Sequence, residues 1–499
     1  MSDSLPVPVR RVPWLAGLAL IGLWGAATAI RWQHLHGVTL GSDALGQFLA
    51  AWTVLSGGTP VPPNPEGGHS LWVVGLPCVL LGRSLEGVFA VRFALGALVA
   101  PLGALAAWYW APPSRTRWLA GLTAGLILAW DPGLVDTLMV SFRGYGAPEL
   151  VALALLGAGL GGRLGAGVAA AASVAATGQH PMATGVLLGV VGLAGRWTRL
   201  EWTWALGCGL VAALPRLHWI WTLGSCGAGL WECLGTVATG SAEPDVDRFL
   251  MLKRALWDRF VVELRPGAAA ALAVGLMGAL WDRRTRHPAM VALLGTLGVF
   301  ALGLTIQGLR PYHLRACMPL VAVAVGCLVS VRPASVVLLA GCVAALGIRV
   351  AAPPAPDGGV VGVDALGAVL ATVDDAVQVE AVWFGDPVGV EPGAVVLSAR
   401  QHGLDPARQL RVDGTGSIAL LVNLAEEPTA SGLVQSDRVW PVLDAAATAA
   451  WPDVRVLRAA SLDEARSWTE RATPPPVVAG GSFDWVKALK PLAEGHRSL

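Results

Sequence analysis

Apolar residues fall in long blocks separated by short polar ones, and the blocks set the first expectation for the fold. Runs rich in Ala, Gly, Leu and Val occupy about 13 to 32, 87 to 110, 118 to 138, 147 to 161, 164 to 178, 181 to 195, 202 to 222, 267 to 281, 288 to 307, 312 to 330 and 333 to 351. A helix of roughly 20 apolar residues crosses a bilayer. The pattern therefore predicts an α-helical polytopic membrane protein with about 11 transmembrane helices. Three runs between Ala147 and Gly195 are nearer 15 residues than 20, so they must be tilted or packed inside protein.

Other stretches keep a helical period but read as interfacial loop helices. "SDALGQFLAAWTVLSGG" has an N-cap at Ser42, Asp43 in the first turn, and Leu45, Phe48, Leu49, Trp52 and Leu55 on one face. "LWVVGLPCVLLG" is a dozen apolar residues interrupted by Pro77, too short to span. "EPDVDRFLMLKRALWDRFVVELRPG" sets Phe249, Leu250, Leu252, Leu256, Phe260 and Val261 on one side, with Lys253, Arg254 and Arg259 expected to face solvent or anionic lipid.

After Val350 the pattern changes. "AAPPAPDGG" reads as a linker, and short apolar runs then alternate with helical stretches. "VQVEAVWF", "GAVVLSA", "SIALLVNL" and "DVRVLRAA" are expected as strands; "DALGAVLATV", "VWPVLDAAATAAW" and "SLDEARSWTERA" are expected as helices. The chain divides on this reading into a transmembrane domain, 1–352, and a small C-terminal α/β soluble domain, 353–499.

Composition agrees: 54% of residues are hydrophobic, 14% are charged, and the mean hydropathy of +0.59 is outside the soluble range. A net charge of +1 without a basic stripe gives no nucleic-acid partner. The seven cysteines show no CxxC spacing. Arg10, Arg11, Arg115, Arg117, Arg163, Arg196, Arg199, Arg283, Arg284, Arg286 and Arg332 all fall on the side of the N-terminus, which sets that side cytoplasmic. The C-terminal domain is then extracytoplasmic, and an Ala/Gly/Arg/Val-rich composition points to a bacterial inner membrane with this domain in the periplasm.

The polar residues that face the outer side define the candidate chemistry. "GSDALGQFLAAWTVLSGG" directly after the first helix, the turn "NPEGGHSLW", and "LEGVFAVRFALGALVAPLGALAAW" opening the next helix resemble the polyprenyl-phosphate-dependent GT-C glycosyltransferases, in the protein mannosyltransferase and aminoarabinose transferase branch. "DPGLVDTLMVSFRGYGAPELVALALLGAGLG", "AATGQHPMATGVLLGVVGLAG" and "LRPYHLRACMPLVAVAVG" are similar to later segments of that family, and the resemblance covers roughly residues 10 to 350. Two departures stand out. The turn reads "GGHSLW" where the family commonly has a His-Pro-Pro-Leu or Lys-Pro-Pro-like turn, and Asp43 is followed by alanine where the mannosyltransferase branch has a second acid.

The resemblance implies a membrane glycosyltransferase that takes a sugar from a polyprenyl-phosphate donor, with a lipid, glycan or protein as acceptor. Asp43 is the expected base, because a carboxylate at a partly desolvated interface can take the acceptor proton. The plain alternative is a helix-dipole residue beside Ser42. Glu149, following "SFRGYGAP", is the second catalytic candidate: it can orient the acceptor, hold a divalent cation (Mg or Mn), share the base role, or simply start a helix after Pro148. No cofactor is otherwise required.

Arg310, Tyr312, His313 and Arg315, with Arg143 across the outer side, are the expected donor-phosphate site, since arginine grips phosphate through two hydrogen bonds. Glu66, His69, His180, Asp131 and Asp136 are further pocket candidates; the alternative for the two histidines is a satisfied helix-end residue, and for the two aspartates the cap of a broken helix. A secondary transporter would show ionisable residues in mid-span and two similar halves. A non-catalytic GT-C-like scaffold would keep the architecture without the Asp43 chemistry.

Overall fold

The computed structural model describes residues 14–33, 75–82, 85–136, 148–177, 181–225, 248–305, 314–335, 359–373, 377–383, 392–404, 415–423, 441–461 and 477–478, with a few single positions. The helices are α1 (Trp14–Gln33), α2 (Leu76–Leu81), α3 (Leu85–Ala97), α4 (Val99–Trp110), α5 (Arg117–Trp130), α6 (Pro132–Asp136), α7 (Pro148–Leu160), α8 (Gly162–Thr177), α9 (Pro181–Gly195) and α10 (Arg199–Ser225). Then come α11 (Arg248–Trp257), a π-helical turn (Asp258–Glu263), α12 (Arg265–Trp281), α13 (Arg286–Thr305), α14 (Met318–Val331) and a short 3-10 turn (Pro333–Ser335). The amphipathic helix expected between Ser42 and Gly58 lies outside the described residues, as does the run from 336 to 351 apart from the helical positions Gly341 and Ala344.

α14 is the axis of the bundle. It packs on α4, α5, α7, α12 and α13, and every residue from Met318 to Ser330 except Val321 is buried. A helix that is apolar on all sides belongs in such a centre. Around it, α3 and α4 form one nearly continuous apolar helix, Glu86–Trp110, with a mean hydropathy of 2.0, long enough to cross a membrane. α5, α7, α8 and α9 are shorter, with 13 to 16 residues each. α7 is mostly enclosed, its Val151, Ala152, Ala154 and Leu155 lying in the core, which is how a short span is accommodated. The α7–α8 turn is made by Gly161 and Gly162, both at φ +67°, a left-handed conformation that costs glycine nothing.

α11 and its π turn meet α12 at a bend of 102°. Phe249, Leu250, Trp257 and Phe260 are exposed on one side of α11 and its extension, while Ala255 and Arg259 are buried on the other. The amphipathic reading of this segment therefore holds for its apolar side. Its charged side is divided: Lys253 and Arg254 are exposed, whereas Arg259 is enclosed, contrary to the expectation of a solvated face.

The C-terminal elements are α15 (Gly359–Ala371), β1 (Val377–Trp383), α16 (Pro392–Gln401), β2 (Thr415–Asn423), α17 (Pro441–Ala450), β3 (Val454–Ser461) and β4 (Val477–Val478). The sheet order is β3-β2-β1-β4, with β1 parallel to β2 and the other two pairings antiparallel. "GAVVLSA", expected as a strand, lies instead in α16. Pro392 opens that helix, and Val395, Ser398 and Ala399 are buried at helical spacing. α16 packs on β1 and α17 on β3, α15 packs on both of these helices, and α15 and α16 also touch α3. Most of "SLDEARSWTERA" lies outside the described residues.

Candidate functional site

The charged interior of the protein lies at one end of the bundle, where α1 and α5 finish and α7 and α14 begin. It starts from a break in α5. Asp131 leaves helical geometry ahead of Pro132, a residue before proline being pushed to extended backbone. Its Oδ1 accepts the backbone N–H groups of Gly133 at 2.9 Å and Leu134 at 3.3 Å, capping α6.

The same carboxylate holds Arg259 in a two-pronged pair. Nη2 lies 2.5 Å from Oδ2 and Nη1 lies 3.0 Å from Oδ1, and both side chains are essentially without solvent exposure. Arg259 Nη1 also donates to Glu263 Oε2 at 2.7 Å. Glu263 in turn accepts from Arg315, whose Nε lies 3.1 Å from Oε1 and whose Nη2 also contacts Oε1. The chain of four groups ties the π turn after α11 to the α5–α6 break and to the segment entering α14.

A side chain at position 133 would press on the charged ends of this cluster. A Cβ there would lie 2.1 Å from Arg259 Nη1 and 2.4 Å from Glu263 Oε2. The backbone of the broken helix thus rests directly on the ion pairs.

A second pair adjoins it. Arg92, two turns into α3, donates from Nη1 to Glu149 Oε1 at 3.0 Å, with Arg92 fully enclosed. Near the end of α1, Arg31 is also enclosed, at 1% exposure. Its Nη1 donates to Ala27 O of its own helix at 2.9 Å, and its Nε has no hydrogen-bond partner among the described residues. Among the described residues, the charges of Glu149, Arg92 and Asp131 act on Arg31. Among the described residues, arginines 31, 92, 259 and 315 gather here with carboxylates 131, 149 and 263, and Arg31 is the one of these arginines with no ion pair to a described carboxylate. A buried arginine with a donor unmet is costly unless an anion completes it.

Of the residues singled out in the sequence, the structure brings Glu149, Asp131 and Arg315 into this region and gives each a salt-bridge partner. Asp136 is described only as the last residue of α6. Asp43, Glu66, His69, Arg143, His180, Arg310, Tyr312 and His313 lie outside the described residues. Arg31, Arg92, Arg259 and Glu263 were not singled out as site residues. Arg31 and Arg92 could have been, because each is a lone cation inside an otherwise apolar run. Among the described residues, no three His, Cys, Asp or Glu side chains converge as a metal site.

Fold comparison places this architecture. The chain is similar to the crystal structures of ArnT from Cupriavidus metallidurans, one bound to undecaprenyl phosphate and one in the apo state. Each superposes with a TM-score of 0.50 at 14% sequence identity, over 89% of this chain and 97% or 98% of the neighbour. No protein-family model matches the sequence, and no curated protein matches it. The likeness shows that this chain shares the fold of these two structures over most of its length.

Proposed function

We propose that this chain is a membrane glycosyltransferase that takes a sugar from a polyprenyl-phosphate donor, with the reaction at the end of the bundle that holds Arg31, Arg92 and Glu149. The observation that carries this reading is Arg31: it is enclosed, and its charged Nε–H has no hydrogen-bond partner among the described residues. That is the electrostatic requirement for receiving a phosphate monoester or diester. One neighbour of the same fold is bound to undecaprenyl phosphate, which supports a donor of that lipid class.

In this reading Asp43 removes the acceptor proton while the acceptor oxygen or nitrogen forms the new bond to the sugar's anomeric carbon. The bond from that carbon to the phosphate oxygen breaks, and the polyprenyl phosphate departs with the electron pair. Arg31 and Arg92 stabilise the charge it gains, and Glu149 orients Arg92 through their 3.0 Å contact. A divalent cation would have to displace Arg92 from Glu149, so the proposal includes no metal. The N-terminus is assigned to the cytoplasm and the reacting end to the periplasmic side of a bacterial inner membrane.

The test is to replace Asp43 with Asn and follow consumption of a lipid-linked sugar by the reconstituted protein. Loss of about 100-fold or more in rate is expected for removal of a general base. An unchanged rate would falsify the base assignment, and failure of the wild-type protein to consume any polyprenyl-phosphate sugar would favour the scaffold instead.

A further inference from the structure

At the opposite end of the bundle, α12 and α14 enclose an apolar groove of about 270 Å³. Gly275 and Gly278 let the helices close over its floor: a Cβ on Gly275 would sit 3.1 Å from Val325 Cγ2, and one on Gly278 would sit 3.0 Å from Leu328 Cδ2. Val274 and Trp281 form a wall that is exposed along its length, at 59% and 84%. In a membrane protein that wall faces hydrocarbon, so the groove is open to lipid chains.

Charge lies at one mouth only. Arg332 and Ser335 line that end. Arg332 is largely exposed, and its Nε donates to Asp282 Oδ2 at 3.0 Å. Arg283, Arg284 and Arg286 are exposed in the adjoining turn, with Asp282 the one acid among them. Asp282 is already occupied by Arg332 and by the backbone N–H of Arg284 at 3.0 Å. An apolar slot between transmembrane helices with a cationic rim at headgroup level has the chemistry of an anionic-lipid site.

We infer that this groove binds an anionic diacyl phospholipid, with one acyl chain between α12 and α14 and its phosphate on Arg332. Nothing in the proposed transfer reaction requires it. α14 has 14 residues, a rise of about 20 Å, and that length separates Arg332 from the Arg315 end. A headgroup on Arg332 therefore cannot be the donor phosphate beside Arg31. Binding would brace α12, whose other end carries the 102° bend into the segment holding Arg259.

The experiment is native mass spectrometry of the full chain released from micelles containing dioleoyl phosphatidylglycerol or dioleoyl phosphatidylcholine, which reads binding rather than activity. Retention of one phosphatidylglycerol in preference to phosphatidylcholine is expected. Arg332→Gln should weaken it about fivefold, the effect of roughly 1 kcal/mol per basic residue near a headgroup. Val274→Trp, on the exposed wall, should block both lipids while leaving the bundle folded, and Arg163→Gln, an exposed arginine away from the groove, should change nothing. Equal retention of the two lipids, equal losses in Arg332→Gln and Arg163→Gln, or full displacement by undecaprenyl phosphate would each overturn the assignment.

Discussion

Arg259 and Asp131 are 128 positions apart in the chain and meet through two parallel hydrogen bonds in the interior, where neither is reached by solvent. The contact joins the segment after α11 to the break between α5 and α6, and with the Glu263–Arg315 pair and the packing of Ala255 on Leu314 it fixes where that segment docks. Breaking a buried pair from one side leaves an uncompensated charge, at about 3–5 kcal/mol. Asp131→Asn is expected to cost that range, read as a drop in thermal midpoint in detergent. Pairing it with Arg259→Gln should recover part of the loss, and a double-mutant cycle showing no coupling would mean that the pair does not hold the docking.

Gly133 permits that docking by having no side chain. The Gly133→Ala methyl would collide with Arg259 Nη1 and Glu263 Oε2, and these atoms can retreat only by loosening the network. Overpacking of this kind costs about 1–3 kcal/mol. The expected outcome is a lower thermal midpoint with faster hydrogen exchange in the π turn, while exchange in the C-terminal sheet is unchanged. A variant as stable as the wild type would show that the α5–α6 break tolerates movement.

Arg31 is expected to behave in the opposite way. Its burial is not repaid within the described residues, so Arg31→Gln should leave stability unchanged or raise it, the pattern of a residue kept for function rather than packing. Under the proposed function, the same substitution removes a charged hydrogen bond to the donor phosphate, worth about 1.5 kcal/mol or more, or tenfold in affinity. Binding of undecaprenyl phosphate to wild-type and variant protein is the measurement. A large loss of stability with unaltered binding would assign Arg31 to the scaffold.

These contacts show which parts of the molecule the sequence makes legible. α9 runs over Pro181–Gly195, the range its apolar block predicts, because proline suits a helix start and the run is continuous. The block expected from 118 to 138 is divided at Asp131–Pro132, and the capping alternative held for Asp131 describes its backbone role. Its second role, receiving Arg259, could not be read from the sequence. Arg259 looks like part of a charged helix face alongside Lys253 and Arg254, and only the bend after Glu263 turns it inward. Arg31 and Arg92 were discoverable as charges inside apolar runs, but their convergence with Glu149 depends on how α1, α3 and α7 pack. In the C-terminal region "GAVVLSA" carried a β-branched signal that lost to Pro392 and a helical burial period.

The turn between α12 and α13 provides a prediction in which pH is the variable. Asp282 accepts the Arg284 backbone N–H and the Arg332 guanidinium, and these hold its carboxyl below the usual value of 3.8. A carboxylate whose folded-state pKa is lowered stabilises the fold fully above its unfolded pKa, and that contribution disappears as pH falls through the folded value. The wild-type protein should therefore have a higher thermal midpoint than Asp282→Asn at pH 6. The difference should shrink as pH drops below about 4, the ordinary aspartate range. High salt at pH 6 should reduce it as well, because Arg332 is largely exposed and its attraction is screened. A difference that persists undiminished at pH 3 would mean that the ionised carboxylate is not what anchors this turn.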